Sequence, residues 1–165
     1  MPGATNSPNT PAIATALVAY CQALTYTGGA PVYKQVALGE IKDITNQIAN
    51  GAACLEIYIN QDDSQHRAFG GKIQDEQSWF LLSLVSLDDA QAAETLIMQV
   101  RDALVVPFQT HATLGDAGSV FHSQIKPNSG KFWKPIRNQA FVRAHLIELL
   151  TRQEWFATTP PGVIA

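Results

Sequence analysis

Charged side chains are scarce in this sequence. Lys, Arg, Asp and Glu make up 15% of the 165 residues, against about 25% in an ordinary globular domain. With 11 basic and 14 acidic residues the net charge is −3, which disfavours a nucleic-acid-binding protein that depends on overall positive charge. Because amides and hydroxyls cost less to desolvate than charges do, such a surface favours contact with other proteins.

Cysteines and long apolar runs are also few. The two cysteines, Cys21 and Cys54, are far apart and form no CxxC pair, so we expect neither a disulfide nor a zinc site and assign both to buried positions. No apolar run approaches the roughly 18 residues that cross a bilayer. Residues 1–11 lack the basic and apolar regions of a secretory signal. We therefore expect a soluble protein of the cytoplasm with no membrane partner.

Recognisable catalytic and ligand-binding motifs are lacking as well. The four histidines show no HxH or HExxH spacing, and no serine or cysteine stands in a nucleophile motif such as GxSxG. We interpret Gly28-Gly29 as a turn and Gly70-Gly71 as a bulge, since neither pair belongs to a phosphate-binding loop. His145, in an apolar strand, is interpreted as a hydrogen-bonded structural histidine. The sequence therefore predicts a protein that is not an enzyme, with no catalytic, cofactor-binding or metal-binding residues.

The chain length fits a single domain. We divide it into a flexible arm (residues 1–9), an α+β core (10–152) and a C-terminal tail (153–165). Apolar residues spaced three and four apart predict a helix from Thr10 to the Gly28 turn and a short helix over 40–49. They also predict a long helix that is capped by Asp88 and ends at Pro107.

Alternating apolar residues predict the strands, which cover residues 32–38, 54–59, 66–74, 78–87, 120–125 and 140–150. Acidic turns at 61–64 and 75–77 would connect the three central strands as a β-meander. The predicted fold is α+β, with a mixed, mostly antiparallel sheet flanked by the N-terminal helix and by the long helix packed on the sheet. The expected core residues are Leu17, Leu55, Ile57, Leu81, Val85, Leu96, Val100 and Leu146.

One basic and aromatic segment precedes the last predicted strand. It contains Lys131, Phe132, Trp133, Lys134 and Arg137, a set too apolar to be left bare and too charged to join a core. Two interpretations are open: the cations would meet phosphates while Trp133 stacks on a base, or the segment would anchor a protein interface, where Trp and Arg are frequent hot spots. The acidic net charge favours the interface. Arg137 would contribute less than Trp133 if it lies at the rim. Trp155 and Phe156, in the predicted tail, are further candidate interface residues.

The order of elements and several segments resemble the tail terminator (tail completion) proteins of long-tailed bacteriophages. The resemblance covers about residues 11–152. It rests on the N-terminal helix and on the segments VYKQVALGEI (32–41), ACLEIYI (53–59) through WFLLSLV (79–85), IMQVRDALVV (97–106) and FVRAHLIELL (141–150). This sequence departs from shorter family members in its extended 109–138 region and its Pro-rich tail.

The resemblance implies a structural virion protein. Six copies would form a ring at the head-proximal end of the tail tube, stop polymerisation of the tube protein and offer a docking surface to the head-completion protein. DNA would pass through the lumen without sequence-specific binding. The protein would lie in the tail or neck of the virion, and in the host cytoplasm during assembly.

Two other interpretations are kept beside this one. Another neck or minor tail component, such as a head-closure or adaptor protein, has a similarly small α+β architecture. A small ligand-binding or hydrolase domain would require His66 or His145 to meet a carboxylate in a concave pocket.

Overall fold

The computed structural model describes residues 10–69, 72–86, 89–109, 114, 120–127, 129–137 and 140–156. Its helices are α1 (Thr10–Gln22), α2 (Ile44–Gln47), which a short 3-10 turn follows at Ala49–Gly51, and α3 (Ala90–Gln109). Its strands are β1 (Gln35–Leu38), β2 (Ala53–Phe69), β3 (Lys72–Ser86), β4 (Val120–Ile125), β5 (Lys131–Trp133), β6 (Ile136–Arg137) and β7 (Ala140–Phe156). The predicted arm, the predicted bulge at Gly70-Gly71 and residues 157–165 of the predicted tail lie outside the described residues.

The described strands form a seven-stranded sheet in the order β1-β2-β3-β7-β4, and β5 and β6 also pair with β7. β1 is parallel to β2, whereas every other pair is antiparallel. On one side β7 pairs with β3, from Val142 to Phe156, and on its other side it pairs in succession with β6, β5 and β4. The predicted α+β class, the mixed and mostly antiparallel sheet and the two flanking helices are confirmed.

Both faces of the sheet carry buried apolar side chains, because successive residues of a strand point to opposite faces. On the first face, α1 and α3 pack on the sheet, so that Leu17 and Val100 join Leu81 in the larger core cluster. On the second face the chain around α2 supplies the cover, and Ile44 packs with Leu84. The strands in the middle of the sheet are therefore apolar on both sides.

The predicted meander is instead one long hairpin. β2 and β3 pair from Ala53 with Val85 to Phe69 with Lys72, so the predicted turns at 61–64 and 75–77 are wrong. The register shifts between Ile59 and Ser64, and the polar residues of the first predicted turn lie at this irregularity of a continuous strand. The pairing of β2 with β3, and of β3 with β7, outweighs the local preference of Asp for turns in both segments.

The helix boundaries also differ from the prediction. α1 ends at Gln22 because the chain then reverses, and the Val32 N–H donates to the Leu24 carbonyl oxygen at 2.9 Å. The short helix begins only at Ile44, because Asp43 before it has a left-handed backbone (φ 59°). At α3, the carboxylate of Asp89 accepts hydrogen bonds from the N–H groups of Gln91 (3.0 Å) and Ala92 (3.1 Å).

Pro107 lies inside α3, whereas the prediction ended the helix there. The helix turns Ala93, Ile97, Val100, Leu104 and Phe108 toward the sheet. Leu96 lies beside this stripe and is only partly buried, as is Leu146 of β7, so these two core assignments are wrong. The other six predicted core residues are buried. No helix in the described ranges is long and apolar enough to span a membrane.

Candidate interface at the β5–β6 edge

The register of β7 fixes the position of the basic and aromatic segment. Phe132 of β5 pairs with His145, and Trp133 pairs with Ala144. Further toward the start of β7, Ile136 of β6 pairs with Phe141. The segment therefore follows the side of β7 that faces away from β3.

Three large apolar side chains on this edge are exposed. Phe132 retains 50% of its accessible surface, Ile136 63% and Phe141 60%; we call these three residues the edge patch. Ile136 and Phe141 are directly opposite each other in an antiparallel pair, so their side chains lie on the same face of the hairpin. Lys131 and Lys134 are exposed beside them. An apolar centre with cations around it has the composition of a protein interface.

The two aromatic residues of β5 have different surroundings. Trp133 is partly buried and packs against the second-face core of its own subunit. The ring of Phe132 lies on the other face of β5, where its centroid is 4.4 Å from that of the His145 imidazole. Phe132 is therefore the aromatic residue of the segment with the larger surface open to a partner, and Trp133 also stabilises the subunit that carries it.

His145 is buried beneath the segment. In the described part of the chain its Nδ1 has no hydrogen-bond partner, so the hydrogen-bonded arrangement predicted for this residue is not present at that nitrogen. Burial lowers the pKa of His145 to about 4, and the nearby positive charge of Arg101 adds to the effect. A Cβ atom at Gly130 would lie 3.4 Å from Nε2, in van der Waals contact with the imidazole, so Gly130 covers this side of the ring closely. His145 is thus a neutral packing residue at physiological pH.

Arg137 is engaged within the subunit. Its Nη2 donates to Oε2 of the fully buried Glu56 at 2.8 Å, and its Nη1 lies 3.1 Å from Oε1 of the exposed Glu40. The Glu56 carboxylate also accepts the Ile41 N–H (2.9 Å) and the Tyr58 hydroxyl (2.6 Å). Burial and this bond to Glu56 raise the pKa of Tyr58 to about 12. Arg137 therefore fastens the β6 hairpin to the second face of the sheet instead of lying free at an interface rim.

The other two candidate residues lie at the far end of β7. The backbones of Trp155 and Phe156 pair with Ile73 and Lys72, and their side chains lie outside the described part of the structure. At about 3.3 Å per residue, Trp155 is roughly 35 Å along the strand from Ala144. The first four residues of the predicted tail thus belong to the sheet, and they are not close to the edge patch.

The sequence analysis missed two residues of this region, Phe141 and Glu56. Phe141 lies in a predicted strand, and nothing in the sequence indicated that its side chain would be exposed. A better signal was available for Glu56, since a carboxylate between Leu55 and Ile57 in an apolar strand indicates a buried charge that requires a partner. Among the described residues no three His, Cys, Asp or Glu side chains are grouped as metal ligands.

No family model matches the chain, and no curated protein has a sequence that matches it.

Proposed function

We propose that this protein is a structural subunit that forms rings, and specifically a tail terminator of a long-tailed bacteriophage. The observation that carries the proposal is the edge patch, whose three large apolar side chains are exposed on one edge of the sheet, near Lys131 and Lys134 in the chain. Ile136 and Phe141 lie against each other, and Phe132 lies about 13 Å away along β7. Large apolar side chains exposed together along one edge favour an interaction site. The α+β fold is the one that the resemblance implies.

In this role six copies form a ring at the head-proximal end of the tail tube. One side of the ring contacts the last layer of the tube protein and stops its polymerisation, and the other side receives the head-completion protein. DNA passes through the lumen without sequence-specific contacts. The subunit is made in the host cytoplasm and ends in the neck of the virion.

Sizing of the purified protein by analytical ultracentrifugation, with negative-stain imaging, tests the proposal. We expect ring-shaped oligomers at micromolar concentration or on addition of tail tubes. Phe132→Ala should weaken assembly at least about tenfold, because truncation of an aromatic anchor commonly costs more than 1 kcal/mol. Trp133→Ala should weaken assembly and also lower the stability of the subunit, because Trp133 packs on the second-face core.

A control is Val106→Ala on α3, since Val106 is at least as exposed as Phe132 (59% against 50%) and lies beside Tyr26 and Ala103, away from the edge patch. This variant should assemble normally. A protein that stays monomeric at high concentration, both alone and with tail tubes, would contradict the proposed function.

A further inference from the structure

A second exposed apolar site lies at the other margin of the sheet. Leu38 at the end of β1 (50% exposed) and Ile59 of β2 (38%) border an open groove of about 500 Å³. Pro11 and Ala14 of α1 form one wall, and Trp79 of β3 contributes to the lining. We call it the β1 groove. Nearly all of its surface is apolar, so water that fills it gains few hydrogen bonds.

The outer edge of β1 is occupied in part by a side chain of its own subunit. The Val36 N–H donates to Oε1 of Gln22 at 2.8 Å, and Nε2 of Gln22 donates to the carbonyl oxygen of Tyr33 at 3.2 Å. The amide side chain of Gln22, at the end of α1, thus takes two of the hydrogen bonds that an added strand would make here. The apolar lining of the β1 groove and this occupied edge favour an occupant that inserts side chains over one that pairs its backbone.

The edge patch supplies side chains of suitable chemistry. An aromatic side chain buries roughly 150–250 Å² when fully covered, so the exposed parts of Phe132 and Phe141 amount to about 200 Å² of ring surface. Stable interfaces cover about 800 Å² on each partner around an apolar centre. The two rings would therefore supply about a quarter of the area that such an interface covers on one partner.

Within one subunit these two sites cannot meet. β2, β3 and β7 lie between β1 and β5, and four spacings of about 4.8 Å place β5 roughly 19 Å from β1. A contact between two different surfaces of the same chain is heterologous, and when it repeats it forms a closed ring or a filament.

We propose that the β1 groove receives the edge patch of a second copy of this chain, with Phe132 as the inserted side chain. The proposal rests on the proposed function, since it assigns the two surfaces through which neighbouring subunits of the ring meet. Of the other large apolar side chains that are exposed in the described part, Val106 of α3 lies beside Tyr26 and Ala103, away from both sites.

Complementation between two defective variants tests the pairing. Leu38→Asp places a charge in the β1 groove, and Phe132→Asp places one in the edge patch. Each variant alone should be monomeric, with the dissociation constant raised at least about tenfold, because an unpaired charge would be buried in an apolar contact. Mixed in equal amounts, they should form a dimer of one copy of each, since the mixture retains one intact groove and one intact patch.

Two further variants guard the interpretation. Ile136→Asp places the charge at a more exposed residue of the edge patch. It serves as a second edge-patch variant if Phe132→Asp disturbs the packing over His145. Val106→Asp, as the control away from both sites, should leave the oligomer unchanged. Circular dichroism checks that every variant is folded.

The outcomes separate this inference from the proposed function. If Phe132→Asp and Ile136→Asp abolish the wild-type oligomer but Leu38→Asp does not, the ring stands and the β1 groove is not its second surface. If both single variants are monomeric and their mixture is too, or if each variant still dimerises with itself, the head-to-tail pairing is overturned. A small apolar molecule retained by the wild type in native mass spectrometry and lost by Leu38→Asp would overturn it as well. A wild type that never oligomerises contradicts both proposals.

Discussion

Replacement of Arg137 by methionine would isolate the contribution of one buried ion pair. Methionine keeps an unbranched apolar side chain but removes the cation, which leaves the Glu56 carboxylate buried with two neutral donors, the Ile41 N–H and the Tyr58 hydroxyl. Loss of one partner from a buried ion pair typically costs 3–5 kcal/mol. Because the Arg137 side chain is itself partly exposed, we expect the free energy of unfolding to fall by about 3 kcal/mol, toward the lower end of that range.

Urea unfolding followed by tryptophan fluorescence measures this loss, and Glu40→Gln is the matched control. That variant removes only the second, exposed ion pair of Arg137, so its cost should not exceed about 1 kcal/mol. The double variant Glu56→Gln/Arg137→Met should recover part of the stability, since a buried amide is less costly than a buried carboxylate. If Arg137→Met costs no more than Glu40→Gln, the Glu56 pair does not hold the β6 hairpin.

Three further predictions concern the core, the buried histidine and the thiols. Leu104→Ala should lower the free energy of unfolding by about 2–5 kcal/mol and Leu96→Ala by less than half as much, because only Leu104 is fully buried; equal losses in urea titrations would contradict the assigned face of α3. The pKa of His145 is about 4 in the fold and about 6.5 in an unfolded chain. The unfolded chain therefore binds more protons between these values, and stability should fall by about 3 kcal/mol as the pH drops from 6.5 to 4. His145→Gln should remove this part of the slope measured in urea titrations at each pH, and an unchanged slope would refute the assignment. Burial raises the pKa of both cysteine thiols, so Ellman's reagent should label neither Cys21 nor Cys54 until the protein is unfolded; rapid labelling of the native protein would count against their burial.

Local sequence patterns predicted which helices and strands form better than they predicted where each one begins and ends. The apolar alternation of β1 to β3 and the helical spacing in α1 and α3 were sufficient for the fold class. The continuous β2 was missed because Asp62 and Asp63 favour turns, whereas their strand is held by partners far away in the sequence. Leu96 was assigned to the core because a helical stripe read from sequence is uncertain by one position. The prediction also ended α3 at Pro107, although a proline in the last turn breaks little of a helix that packs on a sheet.

The candidate interface was predicted in part. Composition alone singled out the segment from Lys131 to Arg137, and the structure gives its members different surroundings. Arg137 binds Glu56, which is distant in sequence, and no local pattern indicates that pairing. The β1 groove was not predicted at all, because it is made by residues of α1, β1, β2 and β3 that only the tertiary fold brings together.

The central position of β7 has a kinetic consequence. In the described sheet β4, β5 and β6 find their pairing partner only in β7, and the long β2–β3 hairpin has its second neighbour there. During synthesis the ribosome therefore releases most of the chain before these strands can pair. Until β7, which begins at Ala140, has been made, one edge of β3 has no pairing partner in the sheet. Such contacts between distant parts of a chain slow folding and prolong the exposure of unpaired edges. The rate at which β7 docks would then set how quickly newly made chains escape aggregation.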